Sequence, residues 1–547
     1  MDDKNIPNDD EGSIDADRRR VLGTLAAAAG AGLLGGSASA AAAATTTDAT
    51  LRQRVKTIVV IYGENRSFNN LFSAFPGQAQ PLGQITLARA AQRDRDGAIM
   101  ARLPKVWGGL VPQQQTVDGK SYVIDETQID GLPNRPFTLA DTAGKPLPLA
   151  VITRDLTHRF YQNQMQINGG RNDRFVAWGD SGGMVMGHYG QADAEMKLAA
   201  VARRYALCDR FFMSAFGGSW LNHIFLVSGQ PPHIPDARTG PIKRLFCVVE
   251  GEDPTGNRLK LAPDSPKSAL DGPPRFERDG TLTPDGYAVN TMAPPYQPSY
   301  IKPAPGGDPA LADAHNPGVL PPQDYPNIGD RLSAKGVSWA WWSGAWAAAL
   351  VKQGDGATPN FQYHHQPFNY FRNYAPGTPA RAEHIRDAGL GDEAKTNHFL
   401  AAIEAGTLPA VSFYKPQGNL NMHAGYADVA SGDAHIAHVI ERLEKSPQWK
   451  DMVVIVTVDE NGGWWDHVAP PEGDRWGPGT RIPAIVISPL AKKGHVDHTD
   501  MDTNSILRFI TRVHGLEPLP GVIRRDEAMR ARGQVLLGDL TSALELG

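Results

Sequence analysis

Cysteine is nearly absent: 547 residues carry only Cys208 and Cys247. That excludes a disulfide-stapled scaffold and a cysteine-built zinc site, both of which need several thiols at short spacings. A strong charge of one sign is missing too. The 54 Lys and Arg stand against 59 Asp and Glu, a net charge of -5, which gives no footprint for nucleic acid or any bulk electrostatic partner. No internal repeat is visible. The run of small apolar residues that ends at Ala44 is too weakly hydrophobic for a stable membrane anchor. What is present is ordinary for a globular chain, 41% hydrophobic and 21% charged. The length allows one large domain or two. The 57 Gly and 43 Pro point to long irregular excursions around a core.

The N-terminus reads as an address. Asp17-Arg18-Arg19-Arg20-Val21-Leu22-Gly23 precedes an Ala/Gly/Leu-rich run, the pattern of a twin-arginine export signal. Residues 1–44 are therefore set aside from the fold. Ala38-Ser39-Ala40 is a candidate cleavage site. The expectation is passage through the twin-arginine translocase to a periplasmic or secreted location. Such a setting permits a disulfide, but Cys208 and Cys247 both lie in apolar runs, so buried free thiols are expected.

Two apolar runs end in the same way. Met452 to Val458 is β-branched and apolar on both faces, then gives way to Asp459-Glu460-Asn461-Gly462-Gly463. Val55 to Tyr62 gives way to Gly63-Glu64-Asn65-Arg66-Ser67-Phe68. Both read as buried parallel strands. Open α/β sheets bind ligands beyond the carboxyl ends of their strands. Adjacent side chains on a strand face opposite ways, so Asp459 and Glu460 share one target only if the strand has stopped, and the glycines permit that. Hard divalent cations favour such oxygen ligands. Ser67 would cap a helix running to about Phe75.

The rest of the chain alternates. Helices are expected over 192–205, 220–227, 328–335, 396–405, 434–445 and 503–513, and strands over 209–214, 337–342, 410–414 and 482–488. This alternation predicts an α/β fold, a mostly parallel, doubly wound sheet in a three-layer α/β/α sandwich. A single catalytic domain over 51–547 is expected, with irregular insertions near 76–148 and 250–326. The second insertion reads as surface embellishment.

Candidate reactive groups follow. Ala215-Phe216-Gly217-Gly218-Ser219-Trp220-Leu221-Asn222-His223 leads from a strand into a helix. Ser219 would sit at the helix N-terminus, where partial positive charge suits phosphate. Read alone, it is better taken as a plain helix cap. Gly179-Asp180-Ser181-Gly182-Gly183 imitates a serine-hydrolase motif, but lacks the strand before and helix after that a nucleophile elbow needs. It reads as a glycine-rich loop near the site. His435 and His438, one helical turn apart, read as a solvated face. Trp339, Trp341, Trp342 and Trp346 with Trp464 and Trp465 could cage a choline head group; Trp339 and Trp341 read as core more than as cage, while Trp464 and Trp465 are placed to line the pocket.

Glu64-Asn65-Arg66-Ser67-Phe68, Asp459-Glu460-Asn461-Gly462-Gly463 with Asp466-His467-Val468, and His364-His365-Gln366-Pro367-Phe368 resemble, in order, three blocks of a bacterial phosphoesterase family. That family includes acid phosphatases and phospholipases C. The resemblance implies an alkaline-phosphatase-like fold and one divalent cation, of unspecified identity, held by Glu64, Asn65, Ser219, Asp459 and Glu460. It implies Ser219 as nucleophile, forming a phosphoserine, with a metal lowering its pKa. His423 or His364 would protonate the leaving group, and Asn222, His158 and His365 would hold phosphate oxygens. Around Ser219 the family reads roughly [ST]-G-P-[ST]-x-P-N-R, and Phe216, Gly218, Leu221 and His223 depart from it.

The expectation is an exported, metal-dependent acid phosphatase acting on small phosphorylated substrates. The runner-up is a phospholipase C acting on phosphatidylcholine-type lipids, for which membrane lipid would be the partner. The resemblance implies extra C-terminal β domains in many of those phospholipases and a threonine at the nucleophile position, and this chain has Ser219 and ends soon after its last expected helix. A third reading is a non-catalytic protein that binds phosphate ligands on the same fold. No C/S-x-P-x-R frame of a sulfatase is found.

Overall fold

The computed structural model describes residues 48–124, 127–190, 192–234, 241–352 and 361–546. The expected export signal at 1–44 lies outside the described residues. The chain divides into two units, residues 1–54 with Leu546, and Val55–Glu545 with Gly547. In the first, residues 48–54 are helical.

The frame of the second unit is one sheet of eight strands: β1 (Thr57–Gly63), β2 (Ala206–Cys208), β3 (Trp339–Gly344), β4 (Ile385–Gly389), β5 (Val411–Lys415), β6 (Met452–Val458), β7 (Ala484–Ile487) and β8 (His495–Asp497). The order across it is β8-β2-β7-β6-β1-β5-β3-β4. Neighbours pair in parallel except β7, which runs antiparallel to both β6 and β2. Every residue of β1 and β6 is buried, as expected of apolar strands covered on both faces.

Alternation along the strands assigns the layers. Phe413 and Trp341 are register partners and stack, with ring centroids 5.3 Å apart. Trp341 then meets His223 of the helix Ser219–Ser228. Tyr414 and Trp342, the next pair, face the other way. Tyr414 stacks on Phe399 of the helix His398–Ala405 at 4.3 Å and bonds His435 of the helix Val429–Glu444 at 2.8 Å. Helices therefore cover both faces, giving the expected three-layer sandwich. Among the described residues, no helix is long and apolar enough to cross a membrane.

Several local expectations fail for identifiable reasons. The strand expected over 209–214 is broken, because the buried Asp209 carboxylate accepts from Ala79 N (2.6 Å) and faces His498 Nδ1 (2.9 Å). Ala206–Cys208 stays in the main sheet, and Phe211–Phe212 pairs separately with Met501–Asp502. The helix expected over 192–205 restarts at Lys197, because the Asp433 carboxylate accepts from Lys197 N and Leu198 N at 2.7 and 2.8 Å. The edge strand β4 was missed, since its sequence Ile-Arg-Asp-Ala-Gly carries no apolar run. His435 is not on a solvated face: it is 2% exposed, held between Tyr414 and Asp392. Cys208 and Cys247 are buried free thiols, as expected. Ser67 caps its helix by accepting from Asn70 N at 3.2 Å, but that helix is short, Phe68–Phe72.

The second irregular region is more than surface embellishment. It packs a small apolar cluster of its own, Ala293, Ala312 and Val319 with Ile301. It also sends Val289, Asn290 and Thr291 into the wall of the main polar cavity.

Candidate active site at the strand ends

Register brings the two strand ends together. Gly63 of β1 pairs with Val458 of β6, so Glu64 and Asp459 each leave the sheet at the same level on neighbouring strands. Asn65 N donates to Asp459 Oδ1 (3.0 Å), as does Glu460 N (2.8 Å). Gly462, at φ +59, makes the stop possible: a Cβ there would lie 2.4 Å from Asn65 O. Glu64, Asn65, Asp459 and Glu460 are all fully buried.

Ser219 opens the helix Ser219–Ser228. Its Oγ lies 3.0 Å from Glu460 Oε1 and 3.2 Å from Glu64 Oε2, so its one proton can be donated to either carboxylate. The approach requires Gly217, at φ +94, where a Cβ would meet Phe160 N at 2.5 Å. Of the segment expected as a loop, Gly179–Ser181 is a turn beside the site, between the helix Phe175–Trp178 and a 3₁₀ helix, Gly182–Met186, that the last two glycines open. Ser181 is buried and donates to its neighbour Asp180 (2.8 Å), and Asp180 faces the cavity.

That cavity holds about 420 Å³, within the range of small-molecule sites. His158, Ser219, Asn290, Gln362, His364 and His423 are among the groups lining it. Its aromatic walls are Trp220 and Tyr426, the latter stacked on His423 at 4.3 Å. Trp464 and Trp465 do not line it. Trp464 is fully buried beneath Arg66, and Trp465 donates its indole N–H to Asn172 O. Trp341 is core, and it donates to His365 O at 2.7 Å.

Two expected phosphate ligands are placed elsewhere. Asn222 Oδ1 accepts from Ala215 N, and its Nδ2 donates to Ala215 O and Gly218 O, all within 3.2 Å. Its amide is spent on bracing the turn before Ser219. His365 is 1% exposed, with Nε2 2.9 Å from Glu64 Oε1. It holds Glu64 from behind and does not reach the cavity. His158, His364 and His423 do reach it. His467 stays apart, between Asn69 and Gln80.

Two participants were missed from sequence. Lys415, at the end of β5, is fully buried, touches Glu64 Oε1 and donates to Gly63 O at 3.2 Å. Its signal was a lysine closing an apolar strand between carboxylate-ended neighbours. His223 is fully buried one turn after Ser219, with Nδ1 2.7 Å from Ser219 O and 3.7 Å from Asp459 Oδ2.

The electrostatics follow from crowding. Burial would raise Glu64, but Lys415 and His365 hold it well below the usual carboxylate range. Burial and the charges of Glu64 and Glu460 push Asp459 well above it. Glu460 rises to about 7 through burial, against the pull of His158. Burial lowers a histidine, yet Glu460 and Asp155 raise His158 to about 9. Burial, aided by Lys415, brings His365 down to about 4. Burial likewise lowers His423, and takes His364 and His223 well below the histidine range.

The donor set fits a divalent cation. Three carboxylates converge in a buried site, where burial and the charge of Glu64 raise both Asp459 and Glu460, and an ion relieves that repulsion. Asp459 Oδ2 is buried without a hydrogen-bond partner. Ligand atoms of Glu64, His223 and Asp459 lie within 4.8 Å of one another, as do those of Glu64, His364 and His365. Asn65 Oδ1 accepts from Ala424 N (3.2 Å) and keeps a second lone pair.

Known proteins resemble this chain at two levels. Phospholipase C A of Mycobacterium tuberculosis is 28% identical over 525 residues, 89% of this chain and 77% of that protein. The non-hemolytic phospholipase C of Burkholderia pseudomallei is 28% identical over 224 residues, 34% of this chain and 29% of that protein. That of Pseudomonas aeruginosa is 27% identical, over 39% of this chain and 32% of that protein. The match thus spans about a third of the length of these two non-hemolytic enzymes. A solved structure from Vibrio parahaemolyticus, a protein in the alkaline phosphatase superfamily, aligns at TM-score 0.31 and 9% identity, over 68% of this chain and 67% of that one. The phosphoesterase family profile matches residues 55–517, the stretch that holds every strand end and histidine described above, and the chain belongs to the phosphoesterase family.

Proposed function

We propose that this chain hydrolyses phosphate esters through a phosphoserine at Ser219. The observation that carries the reading is Ser219 Oγ, at a helix N-terminus on a polar cavity, within 3.2 Å of both Glu64 and Glu460. Bound by Glu64, Asn65, Asp459 and Glu460, a divalent cation would lower the hydroxyl pKa and offset charge on the phosphoryl oxygens. Ser219 Oγ gives its proton toward the carboxylates and bonds phosphorus. The ester P–O bond breaks, and the alcohol leaves with a proton from His423 or His364; because burial lowers both, this step calls for acidic pH or for protonation of the ring against the bound phosphate. Water then attacks the phosphoserine, releasing phosphate and restoring Ser219. His158, kept cationic by Glu460 and Asp155, holds a phosphate oxygen. Lys415 and His365 orient Glu64.

We take the preferred substrate as a small phosphomonoester, acted on by an acid phosphatase. The polar lining by Asp155, His158, Arg159, Asp180 and Gln362 supports this. A second reading, phospholipase C, is favoured by the relatives' names. The test is a panel of p-nitrophenyl phosphate, p-nitrophenylphosphorylcholine and bis-p-nitrophenyl phosphate at several pH values, with and without chelator. Preference for the monoester and loss of activity with chelator are expected. Preference for the phosphorylcholine ester would move the assignment to phospholipase C. Tight phosphate binding with no turnover of any ester would leave only a binding protein.

We further propose export by the twin-arginine route, on the strength of Arg18-Arg19-Arg20. Replacing all three by lysine should trap precursor in the cytoplasm, and unchanged export would refute the route.

A further inference from the structure

The helix that presents Ser219 also presents a nitrogen donor. Ser219 and His223 are four residues apart, so they lie on one helix face. His223 is fully buried. Its Nδ1 lies 2.7 Å from the Ser219 carbonyl, which can only accept, so Nδ1 carries the proton and donates. Nε2 is then left with its lone pair, and it has no hydrogen-bond partner. Asp459 Oδ2, 3.7 Å from Nδ1 of the same ring, is also buried without a hydrogen-bond partner, and a ring nitrogen of His223 lies within 4.8 Å of carboxylate oxygens of both Glu64 and Asp459. Histidines that ligate metals commonly donate their other ring N–H to a backbone carbonyl in this way. Where the resembled family block carries an arginine, a fixed cation that cannot ligate, this chain carries an imidazole that can.

We propose that His223 is a ligand of the cation held by Glu64 and Asp459, giving a mixed nitrogen and oxygen site that selects a transition-row ion or zinc over calcium and magnesium. The inference rests on the metal-binding reading above. Imidazole suits zinc, copper, iron and nickel, whereas all-oxygen sites suit magnesium, calcium and manganese. His364 and His365 also bring buried ring nitrogens without hydrogen-bond partners near Glu64. His365 Nε2 faces Glu64 Oε1 at 2.9 Å and His364 faces the substrate cavity, whereas His223 lies beside both Glu64 and Asp459.

The test compares wild-type protein with His223→Gln, His223→Asn and His364→Gln, each stripped of metal and checked for folding by circular dichroism. The readouts are competition among Zn²⁺, Co²⁺, Mg²⁺ and Ca²⁺ by elemental analysis, the visible spectrum of the Co²⁺ form, and ¹⁴N modulation in electron-spin-echo spectra of the Cu²⁺ form. Wild type and His364→Gln should hold Zn²⁺ and Co²⁺ over the hard ions and show a coupled nitrogen. Either folded His223 variant should lose at least the roughly 10- to 100-fold in Zn²⁺ affinity that loss of a mere supporting hydrogen-bond partner costs, and lose the nitrogen signature. Unchanged selectivity and an unchanged nitrogen signal in a folded His223 variant would overturn the inference and leave the oxygen site standing. Failure of wild type to bind any ion, with Asp459→Asn no different, would overturn the metal reading itself and the inference with it.

Discussion

Glu64, Lys415, Asp459 and Glu460 stand at the ends of three neighbouring parallel strands, whereas His158, Asn290, Gln362, His364 and His423 come from loops widely separated in sequence. The first group is fixed by register: Gly63 pairs with Val458, and Ile61 with Tyr414. A slip of one residue would turn each of these side chains to the other face. The second group hangs on turns and short 3₁₀ segments such as Tyr363–His365. The difference teaches where each task resides. Groups that tolerate no displacement sit on the sheet floor, and groups that meet the variable part of a substrate sit on the loop wall.

This division sets an order of effects. Ser219, held by its helix against the floor carboxylates Glu64 and Glu460, should show the largest. Ser219→Ala should reduce kcat by on the order of 10³-fold or more while leaving the fold intact, as loss of a nucleophile does; steady-state kinetics with a melting curve check both. Asp459→Asn removes a charge from the proposed ion site without changing shape. It should lower activity by on the order of 10²- to 10³-fold and weaken metal retention, read by elemental analysis after dialysis. Normal turnover in this variant would break the metal assignment. On the wall, Thr291→Val should raise KM only a few-fold, about 1 kcal/mol for one hydrogen-bonding group, with kcat nearly unchanged, since Thr291 lines the cavity and is exposed. A large fall in kcat there would erase the contrast between floor and wall.

The smallest effect lies outside the site. Burial holds His188 down to about 4, below its unfolded value near 6.5. At high pH both states are neutral and stability is unaffected. As pH falls from about 6.5 toward 4, the unfolded chain takes a proton that the folded one refuses, so stability is lost. His188→Gln should flatten that loss, measured as the shift of the urea midpoint between pH 7 and pH 5. An identical shift in the variant would show that His188 does not control it.

Much of the floor was readable in the sequence. Val55 to Tyr62 and Met452 to Val458 declare buried strands because both faces are apolar, and the glycines and carboxylates mark where they stop. Ser219 was flagged by Gly217-Gly218, and the structure places it against Glu64 and Glu460. Asn222 and His365 were misplaced because residue type does not say whether a side chain is spent on its own backbone. The Asn222 amide saturates on Ala215 and Gly218, and His365 turns toward Glu64. Lys415 was overlooked because a lysine after a strand usually faces water, and only the packing of β5 against β1 reveals the carboxylate it meets. The wall at Val289–Thr291 had no periodicity to betray it, since its place depends on how an irregular excursion folds back.

The central claim is that Ser219 bonds phosphorus, and trapping the intermediate tests it most directly. Protein mixed with a phosphate ester is quenched in acid within milliseconds, digested and read by mass spectrometry. The account predicts phosphate on the peptide containing Ser219, its absence in Ser219→Ala, and an unmodified Ser181. Phosphate on Ser181, or full turnover by Ser219→Ala, would contradict it.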